Sequence, residues 1–223
     1  MPWMPLPRLA AAVVVAAALL PLSGCLYAQI PADVPASDDT STPAPMPDES
    51  PSTSADDDLP TTMSFDDGSS LPATAYIQWG DGLLTDDGWE IASPDDGQGN
   101  WSYATVDGYC TAHFWQGLIG DDILVADDDS ATSDAMIATV LGGTPGDITP
   151  NATTGAFSYQ ISGNDTVENR QVVGQDTGRS WIMAARAFSA VGVGLYVIVD
   201  CTSGDPAFAL AEIADRNAIV ITP

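Results

Sequence analysis

Trp181-Ile182-Met183-Ala184-Ala185-Arg186-Ala187-Phe188, followed after a short link by Leu195-Tyr196-Val197-Ile198-Val199-Asp200-Cys201, is the stretch that decides the fold. Both runs have the length of a strand and are bounded by turn residues. The second is apolar without interruption from Leu195 to Val199. It therefore predicts a central strand covered on both faces. Gly192-Val193-Gly194 reads as the hairpin turn between the two.

Outward from this pair, Phe157 to Ile161 alternates as a strand does, and Glu168 to Gly174 reads as a weaker strand. Downstream, Asp205 followed by Pro206 starts a helix that runs to about Arg216. Asp is its N-cap and Pro its first helical residue. Ala207, Leu210, Ala211 and Ala214 form the apolar stripe expected of it. Ala218 to Ile221 reads as a last strand.

Upstream, Asp127-Asp128-Asp129-Ser130 precedes Ala131 to Leu141. Acids at the start, Ser130 as N-cap, and Gly142-Gly143 with Pro145 at the stop predict a helix. Before it come four expected strands. Leu71 to Trp79 places Ala73, Ala75, Ile77 and Trp79 in alternation. Gly88 to Ile91 is short. Trp101 to Val106 and Tyr109 to Trp115 are joined by Asp107-Gly108, a two-residue hairpin signal. Gly80-Asp81-Gly82, Asp86-Asp87-Gly88 and Asp95-Asp96-Gly97 mark turns. The fold class is α+β, an antiparallel sheet with about two helices packed on it.

This order of elements, from about Gly88 to Ile221, is similar to the PsbP/Mog1-like sandwich that recurs among bacterial lipoproteins. The Trp89 segment, the helix before Gly142 and the strand pair at 181–188 and 195–201 carry the resemblance. It implies a largely noncatalytic assembly or binding domain and supplies no catalytic residue.

The first part of the chain has a different character. From Ala28 to about Thr62 it is Pro, Ser, Thr, Asp and Ala without apolar periodicity. Such a segment buries too little apolar surface to offset its ordering entropy, so it predicts a disordered tether. Prolines and the Asp56-Asp57-Asp58 run favour an extended chain. Ahead of it, Ala10 to Leu20 is an apolar run too short for a bilayer span, with the length of a signal core. Leu22-Ser23-Gly24-Cys25 follows that run and resembles the lipobox of bacterial lipoproteins. The resemblance implies recognition by signal peptidase through Leu22, Ser23 and Gly24, and cleavage before Cys25. It also implies a diacylglycerol on the Cys25 thiol and a palmitate-type acyl chain on the new amine. The plainer alternative is an ordinary secretory signal that ends in Cys. On the lipoprotein reading, residues 1–24 are the signal, 25–65 the anchored linker and 66–223 the head. The head faces the extracytoplasmic side of the cell membrane.

With Cys25 assigned to lipid, Cys110 and Cys201 remain, and an even pair in an exported domain predicts a disulfide. They are 91 residues apart. A loop of that length corresponds to roughly 4–5 kcal/mol in the chain-entropy account.

The 223 residues carry five Lys+Arg, all Arg, against 31 Asp+Glu, a formal charge of -26. That balance repels phosphate backbones and argues against nucleic acid as a partner. His113 is the single His, and no Gly-x-Ser-x-Gly stretch accompanies it, so a structural His is the expectation. No dinucleotide or phosphate-loop fingerprint is present, and no cofactor is expected. The acidic pairs at Asp66, Asp86, Asp95 and Asp121 and the run at Asp127 lack the spacing of a calcium loop. They read as solvated turns, with no metal site. Arg170, Arg179 and Arg186 read as partners for the abundant Asp, the alternative being a shared acceptor for an acidic group. Trp79, Trp89, Trp101, Trp115 and Trp181 supply either core or an exposed binding surface.

The expected function is therefore a noncatalytic, lipid-anchored surface protein whose head binds an unidentified envelope or protein partner. A cell-wall glycan-binding module using exposed Trp, or an envelope hydrolase using carboxylates, are the alternatives.

Overall fold

The computed structural model describes residues 62–160 and 165–222. Leu22, Ser23, Gly24 and Cys25, and the tether before Thr62, lie outside the described residues.

The strands are β1 (Thr62–Met63), β2 (Tyr76–Trp79), β3 (Trp89–Ser93), β4 (Asn100–Thr105), β5 (Cys110–Leu118), β6 (Thr153–Ser158), β7 (Thr166–Asp176), β8 (Arg179–Phe188), β9 (Val193–Cys201) and β10 (Ile219–Thr222). The helices are α1 (Phe65–Gly68), α2 (Asp129–Leu141), α3 (Pro145–Ile148) and α4 (Pro206–Arg216), with one 3-10 turn at Gly82–Thr85. No helix among the described residues is long and apolar enough to cross a membrane.

The large sheet runs β7-β8-β9-β5-β4-β3, antiparallel throughout, with β6 on the outer edge of β7. β9 lies in the middle, as its apolar run requires. Leu195, Val197 and Val199 on one face are fully buried, and Tyr196 and Ile198 on the other are half-buried. β2 and β10 form a separate two-stranded ribbon.

Alternation along β8 and β9 sorts two cores. Ile182, Ala184, Leu195, Val197 and Val199 pack with Leu210 and Ile213 of α4 and with Ile77, Trp79, Ile219 and Ile221 of the ribbon. Met183, Ala185 and Val172 pack on the other face with Ile137 and Ala138 of α2 and Ile148 of α3. The result is an α+β sandwich with helices on both sides of one sheet. Met136 of α2 packs against Gly194, where a Cβ would run into its side chain.

Cys110 and Cys201 face one another on β5 and β9 and form the expected disulfide. It sits at the end of the central strand pair, with Cα atoms 4.1 Å apart.

Two local expectations are corrected. Asp128, not Ser130, caps α2, its carboxylate accepting from the Ala131 N–H at 2.8 Å. Ser130 already lies within the first helical turn. The stop is as expected: Gly142 is left-handed at φ 70°, and the Gly142 and Gly143 N–H groups close back onto Thr139 and Ala138. On α4, Ala207 and Ala211 are exposed, and the buried stripe is Pro206, Ala209, Leu210 and Ile213. Small alanines left the phase of that stripe undefined, and the two large residues set it.

The folded unit also takes in Thr62–Phe65, at the end of the stretch read as tether. β7 and β8 stay paired only as far as Arg170 and Ala185. Beyond that point β1 runs parallel to β7, through Thr62–Thr166 and Met63–Val167, on the edge that β8 has left. Met63 is fully buried there.

Candidate functional site

Two polar arrangements stand out from the cores. The first fills the split between β7 and β8. The Arg186 guanidinium meets the Asp129 carboxylate at 3.0 Å, and neither side chain is exposed at all. It also donates to the Ser64 carbonyl at 2.8 Å and the Glu168 carbonyl at 3.3 Å. The rings of Phe65 and Phe188 lie 4.5 and 4.6 Å from it. Asp129 in turn accepts from the backbone and hydroxyl of Ser189 at 2.7 and 2.6 Å. Burial pushes the Asp129 carboxyl up and the Arg186 guanidinium down to about 10, against the pull each exerts on the other. The run Asp127-Asp128-Asp129 is thus not simply a solvated turn, because its last member is a core ion. Every contact here ties α1, α2 and the sheet together, which makes this site structural.

The second is an open groove between the outer face of the β2–β10 ribbon and the β3–β4 end of the large sheet. Its volume is about 580 Å³, within the range of small-ligand sites. Two glycines set its shape. A Cβ at Gly80 would press on the Ala218 carbonyl, and one at Gly82 would overlap the Arg216 carbonyl. The loop Gly80-Asp81-Gly82 can therefore lie flat on the backbone leading into β10, which brings Asp81 to the groove wall.

On the sheet side, period-2 alternation sends Trp101 and Tyr103 to the same face of β4, with Ile91 opposite Tyr103 on β3. The Trp101 indole stacks in parallel on Phe114, ring centres 5.4 Å apart. Leu84 and Ile91 line the groove with 53% of each exposed. The Tyr103 hydroxyl donates to Asp81 Oδ1 at 2.9 Å. Burial, and next that hydrogen bond, push its phenol up to about 12. Gln116 accepts from the Trp79 N–H at 3.0 Å, and the Trp79 indole donates to the Trp115 carbonyl at 3.2 Å. At the mouth, Asp95 accepts from the Gly97 N–H at 2.7 Å.

The remaining candidates are dispersed. His113 is exposed on β5 and makes no side-chain hydrogen bond among the described residues. Trp79 and Trp89 are core, Trp115 stacks on Tyr196 at 5.3 Å on the α2 side of the sheet, and Trp181 packs beside Met183 and Val172. Trp101 and the buried Trp79 line the groove, and Trp181 borders a separate cleft with Gln175, Ser180 and Asp205. Arg170 pairs with Asp134 at 2.7 Å, Arg179 with Asp200 at 2.7 Å and Arg216 with Asp86 at 2.6 Å. The Arg trio is split among separate carboxylates and forms no common acceptor. Among the described residues no group of three or more His, Cys, Asp or Glu is placed to hold a metal ion.

Asp81 and Tyr103 had no prior reading beyond turn and strand. The signal for them lay in the two glycines flanking one Asp, and in the spacing of Trp101 and Tyr103. No protein-family model matches the chain, and no curated protein matches it in sequence.

Proposed function

We propose that this is a noncatalytic, lipid-anchored surface protein whose head binds an extracytoplasmic partner in the groove between the β2–β10 ribbon and β3–β4. The observation that carries the reading is the Tyr103–Asp81 pair. The Tyr103 hydroxyl donates to Asp81 Oδ1 at 2.9 Å, which fixes both side chains on the groove wall as hydrogen-bonding elements. Around it stand a preset indole and two exposed aliphatic side chains, the makings of a recognition surface.

A photo-crosslinking amino acid at Leu84 or Ile91, with one at Val173 as a distant exposed control, tests the groove in cells. Adducts from the groove positions and none from Val173 are expected. No adduct from either groove position overturns the reading. The anchor is tested by Cys25→Ser, which is expected to release the protein from the membrane fraction. Retention of the variant at the wild-type level would sink the lipoprotein assignment.

A further inference from the structure

We infer that the groove takes a neutral saccharide, one ring stacked on Trp101 and its hydroxyls held by Asp81, Asp95, Gln78 and Gln116. This rests on the reading of the groove as the head's binding surface and names the ligand class. Trp101 is preset, because its parallel stack on Phe114 fixes the indole before any ligand arrives. An immobilised flat ring bordered by Leu84 and Ile91 suits the C–H face of a pyranose.

The polar groups complete the match. Asp81 Oδ1 is taken by Tyr103, Asp95 Oδ1 by the Gly97 N–H, and Gln116 Oε1 by the Trp79 N–H. Gln78 Oε1 accepts from the Tyr76 hydroxyl at 3.1 Å. Among the described residues, the second oxygen of each carboxylate and the NH₂ of each amide have no protein partner. That leaves two acceptors and two amide donors around one cavity. Sugar hydroxyls, which both donate and accept, meet such a mixed set.

Charge narrows the class further. The lining holds Asp81 and Asp95 and no Arg among the described residues, and the whole chain carries -26. Phosphate, sulfate and uronate groups would be repelled. A peptide added along the β3 edge is disfavoured too. The strand is bulged between Ile91 and Ser93, and Pro94 follows at once, so the ladder has no straight edge to extend.

The test titrates the full-length protein, in a detergent without a sugar headgroup, with hexamers of β-glucose, α-glucose, mannose and N-acetylglucosamine. Galacturonate hexamer and hexa-arginine serve as the charged comparisons. Calorimetry and tryptophan fluorescence give the affinity. At least one neutral hexamer is expected to bind, with little dependence on salt. Trp101→Ala should weaken that binding about tenfold or more. Ile91→Asp, on the exposed rim, should do the same without touching the core, which keeps the test alive if Trp101→Ala fails to fold. Trp115→Ala, on the opposite face, should leave affinity unchanged. Failure of every neutral hexamer, tighter binding of galacturonate, binding of hexa-arginine alone, or binding indifferent to Trp101→Ala and Ile91→Asp would each overturn the inference. If crosslinks from Leu84 and Ile91 persist in that case, only the ligand class falls. If they too are absent, the groove falls as a binding surface.

Discussion

Arg186 and Asp129 meet at 3.0 Å with both side chains out of reach of solvent, and the segment from Ser64 to Gly68 is wrapped around that contact. Ser64 offers its carbonyl, Phe65 its ring and Gly68 its missing side chain to the same guanidinium. The first folded turn of the head thus closes over a buried ion pair between β8 and α2.

A buried pair of this kind is costly to break from one side. Asp129→Asn removes the countercharge and leaves Arg186 ionised in a dry split. A loss of about 3–5 kcal/mol is expected. Arg186→Met combined with Asp129→Asn removes both charges, while the Asn oxygen still accepts from Ser189. The double variant should be less destabilised than Asp129→Asn alone. Urea unfolding of wild type, both single variants and the double variant reads this coupling directly. Additive losses would show that the two side chains act independently.

Gly68 makes a sharper local test. A Cβ there would overlap both the Arg186 guanidinium and the Asp129 carboxylate. Gly68→Ala should therefore cost about 1–3 kcal/mol by overpacking. Gly143→Ala, with only a distant Asp147 oxygen nearby, should cost much less. Thermal melts of the two variants separate crowding at α1 from a general effect of replacing glycine.

Which features the sequence betrayed follows from how local their causes are. The Asp107-Gly108 hairpin, the Gly142 helix stop and the Asp205-Pro206 helix start are decided within a few residues. All three are found where the pattern puts them. The Cys110–Cys201 bridge was legible by another route, because the Cys25 assignment leaves only that pair. Arg186 and Asp129 are 57 residues apart, and a charge in a strand reads the same whether its partner is water or a carboxylate. Thr62 and Met63 find their pairing partner about a hundred residues downstream, and two residues carry no periodicity. The groove depends on the ribbon and β4 arriving side by side, so Asp81 and Tyr103 had no local mark of belonging together.

The disulfide should behave as a stabiliser of the whole unit. Cys110 and Cys201 are 8% and 1% exposed, so reductant reaches the bridge mainly when the sheet opens. Cys110→Ser combined with Cys201→Ser should lower unfolding free energy by roughly 4–5 kcal/mol, the chain-entropy value for the 91-residue loop. Denaturant unfolding in the presence and absence of reductant measures it. A wild-type midpoint indifferent to reductant present throughout unfolding would contradict the assignment.

Tyr103 offers a titration that reports on the groove itself. Its phenol is pushed up to about 12 by burial first and then by the hydrogen bond to Asp81, from an ordinary value near 10. The folded protein therefore keeps a proton that the unfolded chain gives up between about pH 10 and 12. With more protons bound in the native state, stability falls as pH rises through that window. The contribution of Tyr103 is fully present below it and lost above. Tyr159 and Tyr196 are also raised by burial, so the alkaline slope of wild type is a composite. Tyr103→Phe isolates one component: it should flatten the slope between about pH 10 and 12 and remove one phenolate from the absorbance titration. At neutral pH the same variant should lose only about 1 kcal/mol, the value of one hydrogen bond. An unchanged alkaline slope in Tyr103→Phe would mean that the phenol is neither buried nor held by Asp81 as the structure places it, and that the groove wall is looser than the 2.9 Å contact implies.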